Sequence, residues 1–195
     1  WNCLPLAGIP VGAGPEFNVT ISPAGRRTAG ISPEDDGTYF HISPFTTQDK
    51  KELPEPELVS LISGLQETGN NHRVVVSCAP NERERSKLAR ILSQLSQPPW
   101  KVFEGSLKLM DLVSVISGAR AHLGGDSGAL HLAVMAGIPT VSWFRQYEGM
   151  HDWMPKSVNS NRVLVSHSRN PSGIQDVQSS QIITATSEVC SEATV

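Results

Sequence analysis

The residue types best suited to chemistry fall in one stretch, Gly124-Gly125-Asp126-Ser127-Gly128-Ala129-Leu130-His131. A short apolar piece over 121–123 runs into the glycine pair. Asp126 and Ser127 are types that cap a helix, and Gly128 lets a ligand approach the backbone. From 129 to 136 only His131 is polar, which predicts a helix buried nearly all round. Gly137 stops it, and 138–144 reads as the next strand. A strand, a glycine turn and a helix start aim unpaired N–H groups and the helix's positive end at one point, where anions bind. A diphosphate is the anion expected there. His131, in the first turns, either donates to it or is satisfied by backbone as a buried histidine.

Other loops carry complementary groups. The loop 43–54 holds Thr46, Thr47, Lys50 and Lys51. Hydroxyls donate to phosphate oxygens and a lysine neutralises them as a mobile charge, although the same residues suit a solvated turn. After the next strand come Asn81, Glu82 and Glu84, where a carboxylate suits two ribose hydroxyls or serves as an acid at a helix N-terminus. Leu107 either packs on a flat base or belongs to the core. Two hydrolase patterns are weaker. Gly125-Asp126-Ser127-Gly128 resembles a chymotrypsin-like nucleophile segment, but the helix-forming run that follows contradicts an all-β barrel. A nucleophile elbow needs glycine two residues after the serine, and position 129 is alanine. Asp126, Ser127 and His131 lie too close along one helix start to align easily as a triad. His151-Asp152-Trp153-Met154 is no metal motif.

These groups need a scaffold, and periodicity supplies one. Strands are expected over 38–43, 73–78, 101–104, 121–123, 138–144 and 162–166. The unbroken valine run at 74–76 fits a strand covered on both faces. Helices are expected from Glu55 to Gly69, with Leu58, Leu61, Ile62 and Leu65 on one side, and over 81–95, 108–118 and 174–186. Alternating strands and helices predict a Rossmann-like, doubly wound parallel α/β sheet with right-handed crossovers. Its ligands bind at strand carboxyl ends, so the loops after Ile42, Val76, Phe103 and Leu123 should converge. Residues 1–37, rich in proline and glycine with one possible strand at 17–21, read as an interdomain connector or a remnant of a missing half. The domain proper is expected over 38–175, with a helix and frayed tail over 176–195.

A chain of 195 residues suffices for one good-sized core. Its formal net charge of -3 gives no basic footprint for nucleic acid. Cys3, Cys78 and Cys190 are an odd set without metal-ligand spacing, which fits a reducing, cytoplasmic compartment. No apolar run approaches the roughly 18 residues of a spanning helix. The start at Trp1, without methionine, suggests a cut or incomplete chain.

The stretch 125–133, the following Gly137-Ile138-Pro139, and the upstream Thr46-Thr47 with Lys51 and Pro54 together resemble glycosyltransferase family 9, the lipopolysaccharide heptosyltransferases. Leu53 stands where the family usually has tryptophan, and Arg145 where a glycine is common. The resemblance implies the C-terminal, donor-binding half of a GT-B glycosyltransferase. In that half Thr46, Thr47 and Lys51 contact the donor diphosphate, and Asp126, Ser127, Gly128 and His131 complete the pocket. Glu82 would lie on the ribose and Leu107 beside the adenine. Lys51 would stabilise the leaving group. The implied donor is ADP-heptose, a substrate rather than a cofactor, transferred with inversion and without metal. The implied acceptor is a lipopolysaccharide core sugar at the cytoplasmic face of the inner membrane. The acceptor domain and general base would belong to an N-terminal half. A non-catalytic nucleotide-binding domain, and a nucleotide-sugar epimerase or hydrolase of the same architecture, are the alternatives.

Overall fold

A computed structural model of the chain describes residues 23–68, 73–155 and 160–193. The strand expected at 17–21 and the helix end expected at 69–71 lie outside them. The strands are β1 (Tyr39–Ser43), β2 (Arg73–Cys78), β3 (Lys101–Glu104), β4 (Ala121–Gly125), β5 (Thr140–Arg145) and β6 (Asn161–Ser166). They form one 6-stranded sheet in the order β3-β2-β1-β4-β5-β6, and every pairing is parallel. Each expected strand is present. The helices are α1 (Pro23–Thr28), α2 (Glu55–Glu67), α3 (Glu82–Leu92), α4 (Leu109–Ser117), α5 (Gly128–Met135), α6 (Met150–Trp153) and α7 (Ser179–Glu192).

Alternation along the strands divides the interior into two faces. Phe40, Ile42, Val74, Val76, Ala121, Leu123, Val141 and Trp143 join Leu58, Leu61, Ile62 and Leu65 of α2, Leu88 and Ile91 of α3, and Ile182 and Val189 of α7 in the main core. On the other face Tyr39, Val75 and Phe103 meet Val115 of α4, while Phe144 meets Leu130 of α5 and Met150 of α6. That second face also carries His41, Ser43, Ser77 and His122, all buried. Chain direction reverses across the sheet between β1 and β4, the switch point at which such sheets open a crevice.

Several expectations give way. The 1–37 stretch is more than a connector over its described part, because α1 lies close on α4: a Cβ at Gly25 would stand 2.6 Å from Ser114 Oγ. Ala29 and Ile31 then complete the second-face core. The helix expected in the C-terminal stretch is present, and α7 packs on the domain by burying Ile182, Ala185, Thr186, Val189 and Cys190. It begins at Ser179 rather than 174 because Gln178 and Gln181 close a reciprocal cap, and this leaves Ile174 to fill the main core. Helix α5 is not buried all round. Leu130 and Ala133 are buried and the other described positions are half-buried or exposed, Gly128, Ala129 and His131 lining the cavity.

Candidate functional site

The loops after β1, β2, β3 and β4 converge as expected, around a cavity of about 690 Å³ at the switch point. Ser43 and Ser77, at the ends of β1 and β2, line it. Strand order separates its remaining wall into two ends. On the β2–β3 side stand Phe103, Leu107, Leu109 and Leu112, with Cys78, Glu84 and Gly105. On the β1–β4 side stand Thr46, Thr47, Asp126, Ser127, Gly128 and His131, with Trp153. One end is largely apolar, the other polar.

The polar end is built around the start of α5. Ser127 is the N-cap, yet its side chain caps nothing, and its buried Oγ has no hydrogen-bond partner among the described residues. The start of the helix, its first amides uncapped by any side chain, therefore lines this end of the cavity, with an unpartnered hydroxyl buried just beneath it, an arrangement suited to an anion. A Cβ added at Gly128 would meet no atom within 4 Å, so the protein's own packing does not demand a glycine there. Asp126 does not cap the helix. Its Oδ2 lies 2.6 Å from Lys51 Nζ and accepts from the Tyr147 hydroxyl at 3.2 Å. The Lys51 ammonium also stands 4.7 Å from the Tyr147 ring centroid. Burial and the Asp126 carboxylate push the Tyr147 phenol up from its ordinary pKa, so it stays a donor. Lys51 is thus no free cation on the wall but one member of an ion pair whose carboxylate lines the cavity. His131 packs edge-on against Trp153, with centroids 6.2 Å apart. No side-chain hydrogen bond joins Asp126, Ser127 and His131 among the described residues, which gives the triad reading no geometry.

The β1 loop is folded by its own groups. Thr46 N–H donates to Glu52 Oε1 at 2.9 Å and its hydroxyl to the Gln48 carbonyl at 2.9 Å. The Thr46 hydroxyl expected on a phosphate is therefore spent on the loop, while Thr47 is exposed on the cavity. Glu52, 3% exposed, also takes Lys87 Nζ at 2.7 Å and both Arg83 terminal nitrogens at 3.0 and 3.1 Å. This buried carboxylate ties the loop to α3.

Glu82, the residue the resemblance implies on the ribose, does not line the cavity. It is exposed outside the cavity lining and accepts from Ser86 Oγ at 2.9 Å. The carboxylate facing the cavity is Glu84. Asn81 caps α3 by accepting from Glu84 N–H, and Glu84 turns back to accept from Asn81 Nδ2 and Ala79 N–H. The Asn81-x-x-Glu84 spacing carried that signal in the sequence. Leu107 lines the apolar end as expected. Burial, then Glu84 and Glu104, push the Cys78 thiol up to about 11, so it is no thiolate nucleophile. Among the described residues no group of three or more His, Cys, Asp or Glu side chains is placed to hold a metal ion. No helix there is long and apolar enough to cross a membrane.

Sheet order and crevice define a Rossmann-like α/β domain of the kind found in GT-B glycosyltransferases. The chain belongs to glycosyltransferase family 9 (heptosyltransferase), whose model matches residues 14–180. Among solved structures it is similar to the family 9 glycosyl transferase from Veillonella parvula, with 16% identity over 98% of this chain and 58% of that one and a TM-score of 0.79. It is also similar to the E. coli ADP-heptose lps heptosyltransferase II, with 17% identity, 91% and 54% coverage and a TM-score of 0.74. A third is E. coli heptosyltransferase WaaC with ADP-2-deoxy-2-fluoro heptose, with 16% identity, 95% and 52% coverage and a TM-score of 0.65. The chain therefore spans a little over half the length of these relatives. No curated protein matches it.

Proposed function

We propose that this chain is the donor-binding domain of an inverting glycosyltransferase that takes a heptose-like sugar from a nucleotide diphosphate sugar, ADP-heptose being the donor expected. The observation that carries the reading is the start of α5, where helix amides that no side chain caps line the switch-point cavity and the unpartnered Ser127 Oγ is buried beside them. The diphosphate lies against Ser127, Gly128 and Thr47, with His131 beside it. The base lies toward Leu107 and Phe103, and the ribose toward Glu84 rather than Glu82. A lipopolysaccharide core sugar is the acceptor, reached through a second domain on the cytoplasmic side of the inner membrane, and that domain supplies the base that deprotonates the attacking hydroxyl. The nucleotide sugar is consumed as substrate, and neither cofactor nor metal is called for.

As the sugar–oxygen bond breaks, negative charge grows on the departing diphosphate, and preorganised donors aimed at it lower the barrier. The α5 amides are fixed by the fold. Lys51 adds its charge by sharing its ammonium between Asp126 and the phosphate. Calorimetric titration of the chain with ADP, UDP and GDP tests the reading. ADP is expected to bind most tightly, though weakly, and the chain alone is expected to transfer nothing. Absence of binding by all three nucleotides contradicts the proposal. Product analysis with an ADP-sugar, with and without acceptor, separates transfer from epimerisation or hydrolysis.

A further inference from the structure

A chain of buried polar groups runs from the cavity into the sheet, and the reading above makes no use of it. His41 and His122 stand opposite each other on β1 and β4, both fully buried, their rings stacked with centroids 5.1 Å apart. Their Nδ1 atoms are 2.9 Å apart. Nε2 of His41 lies 3.0 Å from Ser77 Oγ, which lies 3.1 Å from Ser43 Oγ, and both serines line the cavity. At the far end, Nε2 of His122 has no partner among the described residues. Burial holds both imidazoles well below their ordinary pKa, His41 at about 3, so each carries one proton near neutrality.

Two proton orders keep every one of these bonds. In the first, His41 gives its Nδ1 proton to His122, whose own proton then sits on the unpartnered Nε2. Ser77 must donate to His41 and Ser43 to Ser77, leaving no hydroxyl proton for the cavity. In the second, His122 gives its Nδ1 proton to His41, and His41 donates from Nε2 to Ser77. Only one hydroxyl proton is then needed between the serines, and the other faces the cavity. The first order buries an unpaired N–H, the kind of group folded proteins rarely leave orphaned; the second buries only an unpaired lone pair. The second order is favoured.

We propose that the Ser43–Ser77 pair presents a hydroxyl proton to the ligand, a donor set by a one-way hydrogen-bond chain that starts at His122. Resting on the diphosphate reading, its acceptor is a phosphate oxygen of the nucleoside diphosphate, since Ser43 stands in register with Gly124 at the approach to the α5 turn. His41 and His122 act through the serines and are positioning residues.

The tautomers are read on the wild-type chain by long-range proton–nitrogen correlation of 15N-labelled imidazoles. The expected result is His41 protonated on Nε2 and His122 on Nδ1. His41 protonated on Nδ1 overturns the inference whether or not any nucleotide binds. The second arm is ADP titration of the Ser43→Ala/Ser77→Ala chain, with thermal unfolding to confirm that it is folded. About a tenfold or greater loss of affinity is expected. Unchanged ADP affinity in the folded variant overturns the ligand contact. If the wild-type chain binds no nucleotide, the donor-site reading fails, and the tautomers still decide the proton order.

Discussion

At the scale of single residues, the polar end of the cavity is governed by how far one cation is already committed. Lys51 lies 2.6 Å from Asp126 and over the Tyr147 ring, so a diphosphate meets a positioned, partly neutralised ammonium instead of a mobile one. In the enzyme joined to its acceptor half, Lys51→Ala is expected to lower kcat by about 10²–10³-fold, on the order of 3–4 kcal/mol of leaving-group stabilisation. Steady-state kinetics check it, and an unchanged kcat would remove Lys51 from the mechanism. Gly128→Ala separates binding from folding. Open space surrounds the added methyl, so chemical denaturation should show stability kept or raised by up to about 1 kcal/mol. ADP affinity should fall, because the methyl stands where the ligand approaches. Equal ADP affinity would place the ligand elsewhere. The glycine turn and the helix start after it were legible from local chemistry alone. The Lys51–Asp126 pair was not, because it joins positions brought together only by the β1–β4 pairing. Local chemistry leaves Glu82 and Glu84 both open, and the resemblance implies Glu82; with Asn81 as the cap, the third helical residue turns back and the first points out.

At the scale of elements, the β1 loop shows how a buried charge shapes a binding segment. Glu52 is 3% exposed and gathers Thr46 N–H, Arg83 and Lys87. Arg83 and Lys87 keep Asp49 as a partner, but the Thr46 N–H loses its acceptor, and Glu52→Ala should cost about 1–3 kcal/mol of stability. Lys50, exposed on the same turn, should cost almost nothing as alanine. Urea denaturation of both variants makes the comparison; similar midpoints would mean that Glu52 does not hold the loop. Between β3 and α4, Gly105 has φ +75, and a Cβ there would fall 2.3 Å from Pro80 Cα. Strands and helices were readable because each has its own period, the valine run of β2 and the i, i+3, i+4 leucines of α2 above all. Exposure of α5 was not readable, since apolar composition does not reveal that a cavity borders the helix. Nor was the packing of α1, which depends on Gly25 admitting Ser114.

At the scale of the whole molecule, the sheet order 3-2-1-4-5-6 places the switch point, and with it the cavity, between β1 and β4. The same pairing buries His41 beside His122, whose neutrality links stability to pH. Both folded-state pKa values lie below the ordinary 6.5, so the unfolded chain takes up protons first as pH falls. Stability should be complete above about pH 6.5 and decline from there toward about 3. Each histidine contributes a slope of about 1.4 kcal/mol per pH unit. Denaturant titrations between pH 6.5 and 5, where most carboxylates remain ionised, should show this slope in the wild type. It should be absent in the His41→Phe/His122→Leu variant; equal slopes would mean that the pair is not held neutral. Neither histidine stood out in the sequence, because each is one polar residue in its strand and their contact is set by register across β1 and β4.

The start of α5 as the seat of the leaving diphosphate is tested most directly by a crystal structure of the chain with ADP. Both phosphorus atoms should lie within hydrogen-bond reach of the Ser127 hydroxyl and the backbone amides from Gly128 onward, with the adenine toward Leu107. Phosphates bound anywhere else on the chain, with those amides left to solvent, would contradict the account.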